Sequence, residues 1–432
     1  MKRFIFLSLI IGMAMVVRAQ DVGTASYRFS LEDCLDYAFG NNYNLRTMKL
    51  TEEAKDDAYE QSKKERLPGL SASVNESLSN SESTSATVGG TYGISANMTL
   101  YQGGAITNTI EQNKLKVEQS GYQTSQYENG LVVQILQAFL TVLSNEEMLK
   151  YQQAVVEASE EQLKQGKDLF RVGSILESDY LMLEAQYAND QNNIVSTQIA
   201  RDNGLLTLKS LLSIPAVAEL EIIHPDTAAI AEMGVLPVVS EVIDRAMVSL
   251  PDLKINQYNV DLAKLSLKMS KGNYLPTVSL YGSVGTGHST FDKLGTQLTD
   301  RMNEQIGLTV SIPIYDNSRT KSKMRQSRIA LQQAELDMKQ SELDIQQTVA
   351  TEYHNVVAAQ NKFRTTEVRQ NAYSKTFDVY RAQFRAGSIT AVDLLQQQNN
   401  YISALNDYIQ SKYEFILRRK ILDVYMGIQI KI

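Results

Sequence analysis

Apolar residues at Leu131, Ile135, Phe139, Val142 and Leu143 recur at i, i+4, i+8, i+11 and i+12, which places them on one face of a helix. The same spacing returns 214 residues later at Ile345, Val349, Tyr353, Val356 and Val357. Both sets lie within long proline-free stretches, about 105–172 and 319–386, and all seven prolines fall outside them. A helix of this length spans roughly 100 Å, far more than a globular domain needs. In the second stretch Ile329, Leu336, Leu343, Ala350 and Val357 repeat every seven residues, the period of a supercoiled seam.

Elsewhere the period drops to two. Ile306, Leu308, Val310, Ile312 and Ile314 alternate with Gly307, Thr309, Ser311 and Pro313, while Ile94, Ala96, Met98 and Leu100 alternate with Ser95, Asn97 and Thr99. These patterns predict strands at about 91–101 and 305–315. Weaker partners precede them at about 70–80 and 277–285, with Glu76 out of place in the first. The polar links 79–88 and 285–301 read as exposed loops. Such alternation fits tilted outer-membrane strands, with Tyr101 and Tyr315 as interfacial aromatics, and it also fits half-buried strands of a soluble sheet.

Each long helix is expected to end at a glycine turn: Phe170-Arg171-Val172-Gly173-Ser174 in one copy, Phe384-Arg385-Ala386-Gly387-Ser388 in the other. Lys164, Lys167, Arg171, Arg381 and Arg385 sit where a helix C-terminus favours cations, and glycine takes the left-handed conformation that stops a helix. Ser174-x-x-Glu177 and Thr390-x-x-Asp393 have the capping-box form for return helices at about 174–213 and 388–426. A medium helix and a return helix together nearly match one long helix, so the two shorter ones are expected to stack end to end beside it.

The chain is thus a tandem duplication. At an offset of 208, Ala38 matches Ala246, Leu45 matches Leu253 and Leu67-Pro68 matches Leu275-Pro276; further on the offset is 214. The expected division is a first repeat at 20–214, an inter-repeat segment at 215–238 and a second repeat at 239–432.

Composition narrows the setting. Lys2 and Arg3, an apolar run from Phe4 to Val17, and Val17-Arg18-Ala19 read as a secretory signal peptide over 1–19, the alternative being an uncleaved anchor. Net charge is -7, or -10 without the signal's three basic residues, which argues against nucleic acid as a partner. The single Cys34 permits no intrachain disulfide. No later stretch approaches the roughly 20 apolar residues of a spanning helix, so any membrane part must be strands. Four strands cannot close a barrel, so such a chain must oligomerise. His224, His288 and His354 are scattered without metal-ligand spacing, and Gly103-Gly104 lacks the ending of a phosphate loop. Neither an enzyme, a cofactor nor a metal site is expected.

With the twin turns, Val392-Asp393-Leu394-Leu395, and the strand-to-helix joints Leu100-Tyr101-Gln102-Gly103-Gly104 and Ile312-Pro313-Ile314-Tyr315-Asp316, the chain resembles the TolC-like family of outer-membrane efflux and secretion ducts. The resemblance implies a mainly α fold with a small transmembrane β part: α-helical hairpins forming a periplasmic α-barrel, and four strands per chain of a twelve-stranded barrel shared by a homotrimer. It implies an outer-membrane location in contact with lipid, with the inter-repeat segment in a belt around the tube. Docking of a periplasmic adaptor (membrane fusion) protein is implied at Arg171, Gly173, Ser174, Arg385, Gly387 and Ser388. That adaptor would lead to an inner-membrane transporter of RND or ABC type. A periplasmic constriction is implied at Asp393, with Gln396 in place of the family's second acid, and with Glu177 and Asp179 after the first turn. Asp393 is equally placed to be a helix cap. A coiled-coil scaffold without a pore is the alternative reading. Drugs, bile salts, metal ions and polypeptides all remain open as cargo.

Overall fold

The computed structural model describes residues 26–81, 84–224, 236–289 and 301–428. The expected signal peptide, part of the inter-repeat segment and most of the second interstrand link lie outside these residues. In the first repeat, β1 (Ser26–Phe29), α1 (Leu31–Asn41) and α2 (Tyr43–Lys64) lead to β2 (Gly69–Ser81), β3 (Thr84–Gln102), the long α3 (Ala105–Arg171) and the return helix α4 (Glu177–Leu212). After β4 (Glu219–Ile222), the second repeat runs α5 (Val239–Ser249), α6 (Pro251–Gly272), β5 (Thr277–Ser289), β6 (Asn303–Ser311), α7 (Arg319–Arg385) and α8 (Ala391–Tyr425).

The same break between the first two helices of each repeat has two chemical solutions. Asn42 is extended and caps α2, its Oδ1 accepting the Leu45 N–H at 2.8 Å while its amide donates to the Leu211 carbonyl at 2.8 Å. In the second repeat Leu250 is extended and Pro251 takes the first helical position, where its missing N–H costs nothing. α3 and α7 each run 67 residues, about 100 Å at 1.5 Å per residue. α2 packs along α3, α6 packs on both α3 and α7, and the return helices lie against the long ones. Among the described residues no helix is long and apolar enough to cross a membrane.

The core is divided along the helices. One cluster centres on Leu131, Ile135, Phe139 and Val142 of α3 and gathers Leu35, Leu208 and Ile409. A second joins Ile345, Val349 and Val356 of α7 to Val242 and Leu422. These are the helix faces that the sequence period selects. The heptad seam behaves differently: Ile329, Leu336 and Leu343 are 48%, 63% and 59% exposed. The chain buries a neighbouring stripe of α7 and leaves the first three positions of that seam exposed, while Ala350 and Val357 are half-buried.

Two strand features were not foreseen. β1 and β4 form a parallel pair, Ser26 opposite Glu219 through Phe29 opposite Ile222, with Leu220 and Ile222 buried and Tyr27, Phe29 and Tyr37 grouped beside them. The other four strands form an antiparallel sheet in the order β2-β3-β5-β6. Its strands continue through most of the segment expected to be a polar loop at 79–88, with Ser79 opposite Thr87 and Ser81 opposite Thr84. Polar sequence there did not mean irregular backbone, since the ladder pairs these residues through their main chains. β6 is shorter than its alternation: it stops at Ser311 opposite Thr277, the first residue of β5, so Ile312 to Tyr315 have no strand beside them. Leu70, Val74, Ile94, Val284, Ile306, Leu308 and Val310 stand on one face and are all exposed. The opposite face is Ser, Thr, Asn, Gln and Gly with Tyr281.

At the strand-to-helix joint Gly103 and Gly104 have φ of +56° and +79°, and the second joint repeats this at Asn317 and Ser318 with +53° and +62°. Gly103 also abuts the end of α6: a Cβ there would sit 2.1 Å from the Gly272 carbonyl oxygen, whereas a Cβ on Gly104 would meet only the Asn108 side chain at 3.5 Å.

Buried polar groups tie the hairpins together. Glu147 of α3 accepts from Lys412 Nζ at 2.7 Å and from the Tyr413 hydroxyl at 2.7 Å, both on α8. Nearer the turns, Asp190 of α4 is 2% exposed and accepts from Ser159 of α3, from Gln186 at 2.9 Å and from Gln398 of α8 at 3.0 Å. Burial raises the Asp190 carboxyl above its ordinary range, against the pull of these three donors.

Two outcomes follow for denaturant unfolding in detergent. Gly104→Ala should cost about 1–2 kcal/mol for its left-handed backbone, and Gly103→Ala clearly more, because backbone must also move aside. Asp190→Ala, which strands buried donors, should cost about 1–3 kcal/mol. Because the folded chain holds the Asp190 proton more tightly than the unfolded chain, this group's stabilisation is full below the ordinary carboxylate range and is lost as pH rises through the raised folded value. Asp190→Asn should flatten that part of the stability–pH curve.

Candidate functional site at the hairpin tips

Both long helices end in the same hydrogen-bonded turn. Gly173 (φ +76°) donates to the Phe170 carbonyl at 2.9 Å and Ser174 to that of Leu169 at 2.8 Å; Gly387 (φ +70°) donates to Phe384 at 2.9 Å and Ser388 to Gln383 at 3.0 Å. This 5→2 and 6→1 pairing satisfies carbonyls that a helix end leaves open, and only glycine takes the left-handed residue without strain.

The return helices begin at Glu177 and Ala391, so their cap positions, Leu176 and Thr390, lie two residues beyond Ser174 and Ser388. Thr390 is extended and caps α8: Thr390 Oγ1 accepts the Asp393 N–H at 3.2 Å, while Asp393 Oδ2 accepts from the Thr390 N–H at 3.2 Å and the Thr390 hydroxyl at 2.7 Å. The expected Ser174-x-x-Glu177 box does not form. The cap position of α4 is Leu176, whose N–H reaches Asp179 Oδ2 at 3.4 Å, and Glu177 is simply the first helical residue. Ser174 is committed to closing α3, and Leu176 is the residue 214 positions before Thr390. The duplication therefore marks the correct position where local spacing misleads. Leucine has no side-chain acceptor, so the first tip keeps only half of the box that the second tip has in full.

Asp393 is exposed, and the Thr390 hydroxyl and N–H hold its carboxyl below the usual carboxylate range. Asp179 is half-buried; Glu177 and Gln396 are exposed, and the Gln396 amide donates to Asn400 at 3.4 Å. Arg385 reaches across to Glu161 of α3 at 2.7 Å, whereas Arg171 pairs within its own helix with Asp168 at 3.2 Å. Beneath the turns, Phe384 is 2% exposed and packs in a third core cluster with Leu183, Leu394 and Leu395, and Phe377 stacks on Tyr401 at 5.6 Å. This packing brings the tips side by side.

The two turns share a depression of about 770 Å³, lined by Gly173, Ser174 and Asp179 from the first tip and by Arg385, Gly387, Ser388 and Asp393 from the second. Seven of the ten residues nominated from sequence meet there, while Arg171, Glu177 and Gln396 lie outside its lining. Sequence reasoning did not find Asp190 or its partners Ser159 and Gln398, because polar residues scattered through three helices carry no local signature. Among the described residues no three His, Cys, Asp or Glu side chains are grouped to hold a metal ion.

The family described as outer membrane efflux protein matches residues 35–213 and 242–427, one segment in each repeat. The chain is 24% identical over 321 residues to outer membrane protein TolC of Escherichia coli K12, covering 72% of this chain and 64% of TolC. It is 23% identical over 400 residues to the outer membrane efflux protein BepC of Brucella suis, covering 91% and 84%. The open-state Neisseria gonorrhoeae MtrE outer membrane channel superposes with a TM-score of 0.76 at 19% identity, over 92% of this chain and 89% of that one, a likeness of fold. With both repeats inside the matched segments, and with the hairpins and four-stranded sheet in place, this chain belongs to the outer membrane efflux protein family.

Proposed function

We propose that three copies of this chain form an outer-membrane duct through which an inner-membrane pump and a periplasmic adaptor pass substrates to the outside. The observation that carries this reading is the sheet. One face is exposed and apolar over the part nearer the helices, with Glu76, His288 and Glu304 gathered toward its far end, the other is polar without formal charge, and both edge strands are open. Such a sheet is suited to lipid on one side and water on the other once its edges are closed by further copies. Channels are what the names of MtrE and several other proteins of this fold record. The export reading also has support from AprF of Pseudomonas aeruginosa, an alkaline protease secretion protein 22% identical over 303 residues.

In this reading the expected division is a membrane sheet, a belt around the inter-repeat segment and a helical tube ending at the tips. The adaptor meets Arg171, Gly173, Ser174, Arg385, Gly387 and Ser388, and its other side contacts an RND or ABC transporter. The duct supplies no energy. Its resting state is held by contacts among the helices, and adaptor binding favours the open state through its higher affinity for it. Asp393 and Asp179 supply negative charge at the narrow end, with Gln396 and Glu177 beside them.

Single-channel recording in planar bilayers tests this. The wild-type trimer should give small cation-preferring steps, and Asp393→Ala should weaken the preference. Because Thr390 holds the Asp393 carboxyl below its ordinary range, the preference should survive acidification to about the ordinary aspartate pKa of 3.9. Thr390→Val should shift its loss to higher pH. Unaltered selectivity in Asp393→Ala would leave the residue as a cap only, and a folded trimer without conductance would favour the scaffold.

A further inference from the structure

We propose that the cleft where α3, α4 and α8 meet below the tips is a binding site for a short aliphatic amine that carries a hydrogen-bond donor at its other end. The inference stands apart from the duct reading, because every group it uses belongs to one chain. The cleft has a volume of about 140 Å³, and Asp190 of α4 is the one charged residue in its lining. Val155 of α3 with Ile402 and Leu405 of α8 supply an apolar wall, and Gln152 of α3 also lines it. A cavity of about 150 Å³ takes a benzene molecule, whereas pockets for drug-sized molecules begin near 300 Å³. The cleft therefore suits a ligand of about six heavy atoms and not a bulky cargo.

Asp190 supplies the anchor for an ammonium. Its three donors, Ser159, Gln186 and Gln398, are all neutral, and no cationic side chain among the described residues acts on it. Oδ2 accepts from Ser159 and Gln398, while Oδ1 accepts from Gln186 alone, so Oδ1 keeps an open lone pair. A carboxylate held out of water without a counter-charge is costly, and an ammonium donating to Oδ1 offsets that cost. An ammonium has two further protons to place. Gln398 is fully buried and donates to Asp190 through Nε2, and its Oε1 accepts no hydrogen bond, which leaves a second acceptor beside the carboxylate.

Gln152 sets the length of the ligand. Its Oε1 is buried and accepts no hydrogen bond either. Gln152 and Ser159 are two helical turns apart on α3, about 10 Å, and the Ser159 hydroxyl donates to Asp190. A hydrogen bond of about 2.9 Å at each end leaves about 4–5 Å between the donors of the ligand, the span of roughly three or four methylenes. Val155 lies between Gln152 and Ser159 along α3, so the methylenes lie against the apolar wall that it forms with Ile402 and Leu405. Ser159, Asp190 and Gln398 come from three helices, and a ligand seated among them strengthens the tie of α8 to the α3–α4 hairpin.

The test is isothermal titration calorimetry of the full chain in detergent, with 1,4-diaminobutane as the probe. It should saturate one site per chain. Butylammonium, which lacks the far donor, should bind more weakly, and 1,4-butanediol, which keeps both donors without the charge, should not bind detectably. Magnesium chloride, a divalent cation without the chain, should not bind there either. Asp190→Asn removes the charge at nearly constant shape and should weaken diaminobutane by at least about tenfold. Gln152→Leu should bring diaminobutane down to the level of butylammonium. Ile402→Phe fills the cleft while leaving Asp190 and its donors in place; it should abolish binding, and it decides the matter should Asp190→Asn fail to fold. Wild-type affinity in Asp190→Asn or in Ile402→Phe, equal binding of magnesium, or no binding of diaminobutane to the folded wild type overturns the site. Equal affinities for butylammonium and diaminobutane overturn the assignment of Gln152 to its far end.

Discussion

An edge strand exposes a row of backbone N–H and C=O groups that must find partners, and in lipid no water supplies them. The four-stranded sheet has two such edges, at β2 and β6. This requirement accounts for the rest of the molecule. In lipid, a chain that cannot close its own wall needs further copies to pair those edges. The hairpins extend the same logic away from the sheet. α3 and α7 share a length of 67 residues, and equivalent left-handed joints connect each to its strand. Strand register and helix register are therefore set together.

Much of the fold was legible because its periods are long and uninterrupted. The face of α3 from Leu131 to Leu143 is buried as its spacing dictates, and the α7 residues Ile345, Val349 and Val356 follow. The alternation of β3 and of β6 as far as Ser311 assigns their residues to the two faces of the sheet. What escaped was short or depended on other parts of the chain. β1 and β4 have four residues each, too few for a period, although Glu219-Leu220-Glu221-Ile222 alternates and buries its two apolar residues. The Ser174-x-x-Glu177 motif satisfied a local rule, but Ser174 was already engaged in the turn that ends α3. The heptad repeat of α7 does not mark the stripe that the chain buries: Ile329, Leu336 and Leu343 are exposed.

The candidate site was legible in part for the same reason. The glycine turns carry their own signal, and the tertiary core around Phe384 and Leu183 brings them together. The buried polar node of Asp190, Ser159 and Gln398 had no signal, since its members come from three helices and meet only in the folded chain.

The distribution of cohesive contacts bears on where the helical tube can move. Around the middle of α3 and α8 the chain combines its largest apolar cluster with the buried Glu147–Lys412 pair and the Tyr413 hydroxyl. Separating these helices would expose apolar surface and strand a buried charge, which is strongly destabilising. At the tips the core is smaller, the Arg385–Glu161 pair is solvent-accessible, and Asp393 is satisfied by Thr390 within its own helix. An exposed ion pair adds little, and a cap internal to α8 moves with that helix and is not broken by its displacement. The tips can therefore part from one another at far lower cost than the middle of the tube. In the proposed duct, an opening motion begins at the glycine turns and stops where the buried ties of α3 and α8 begin.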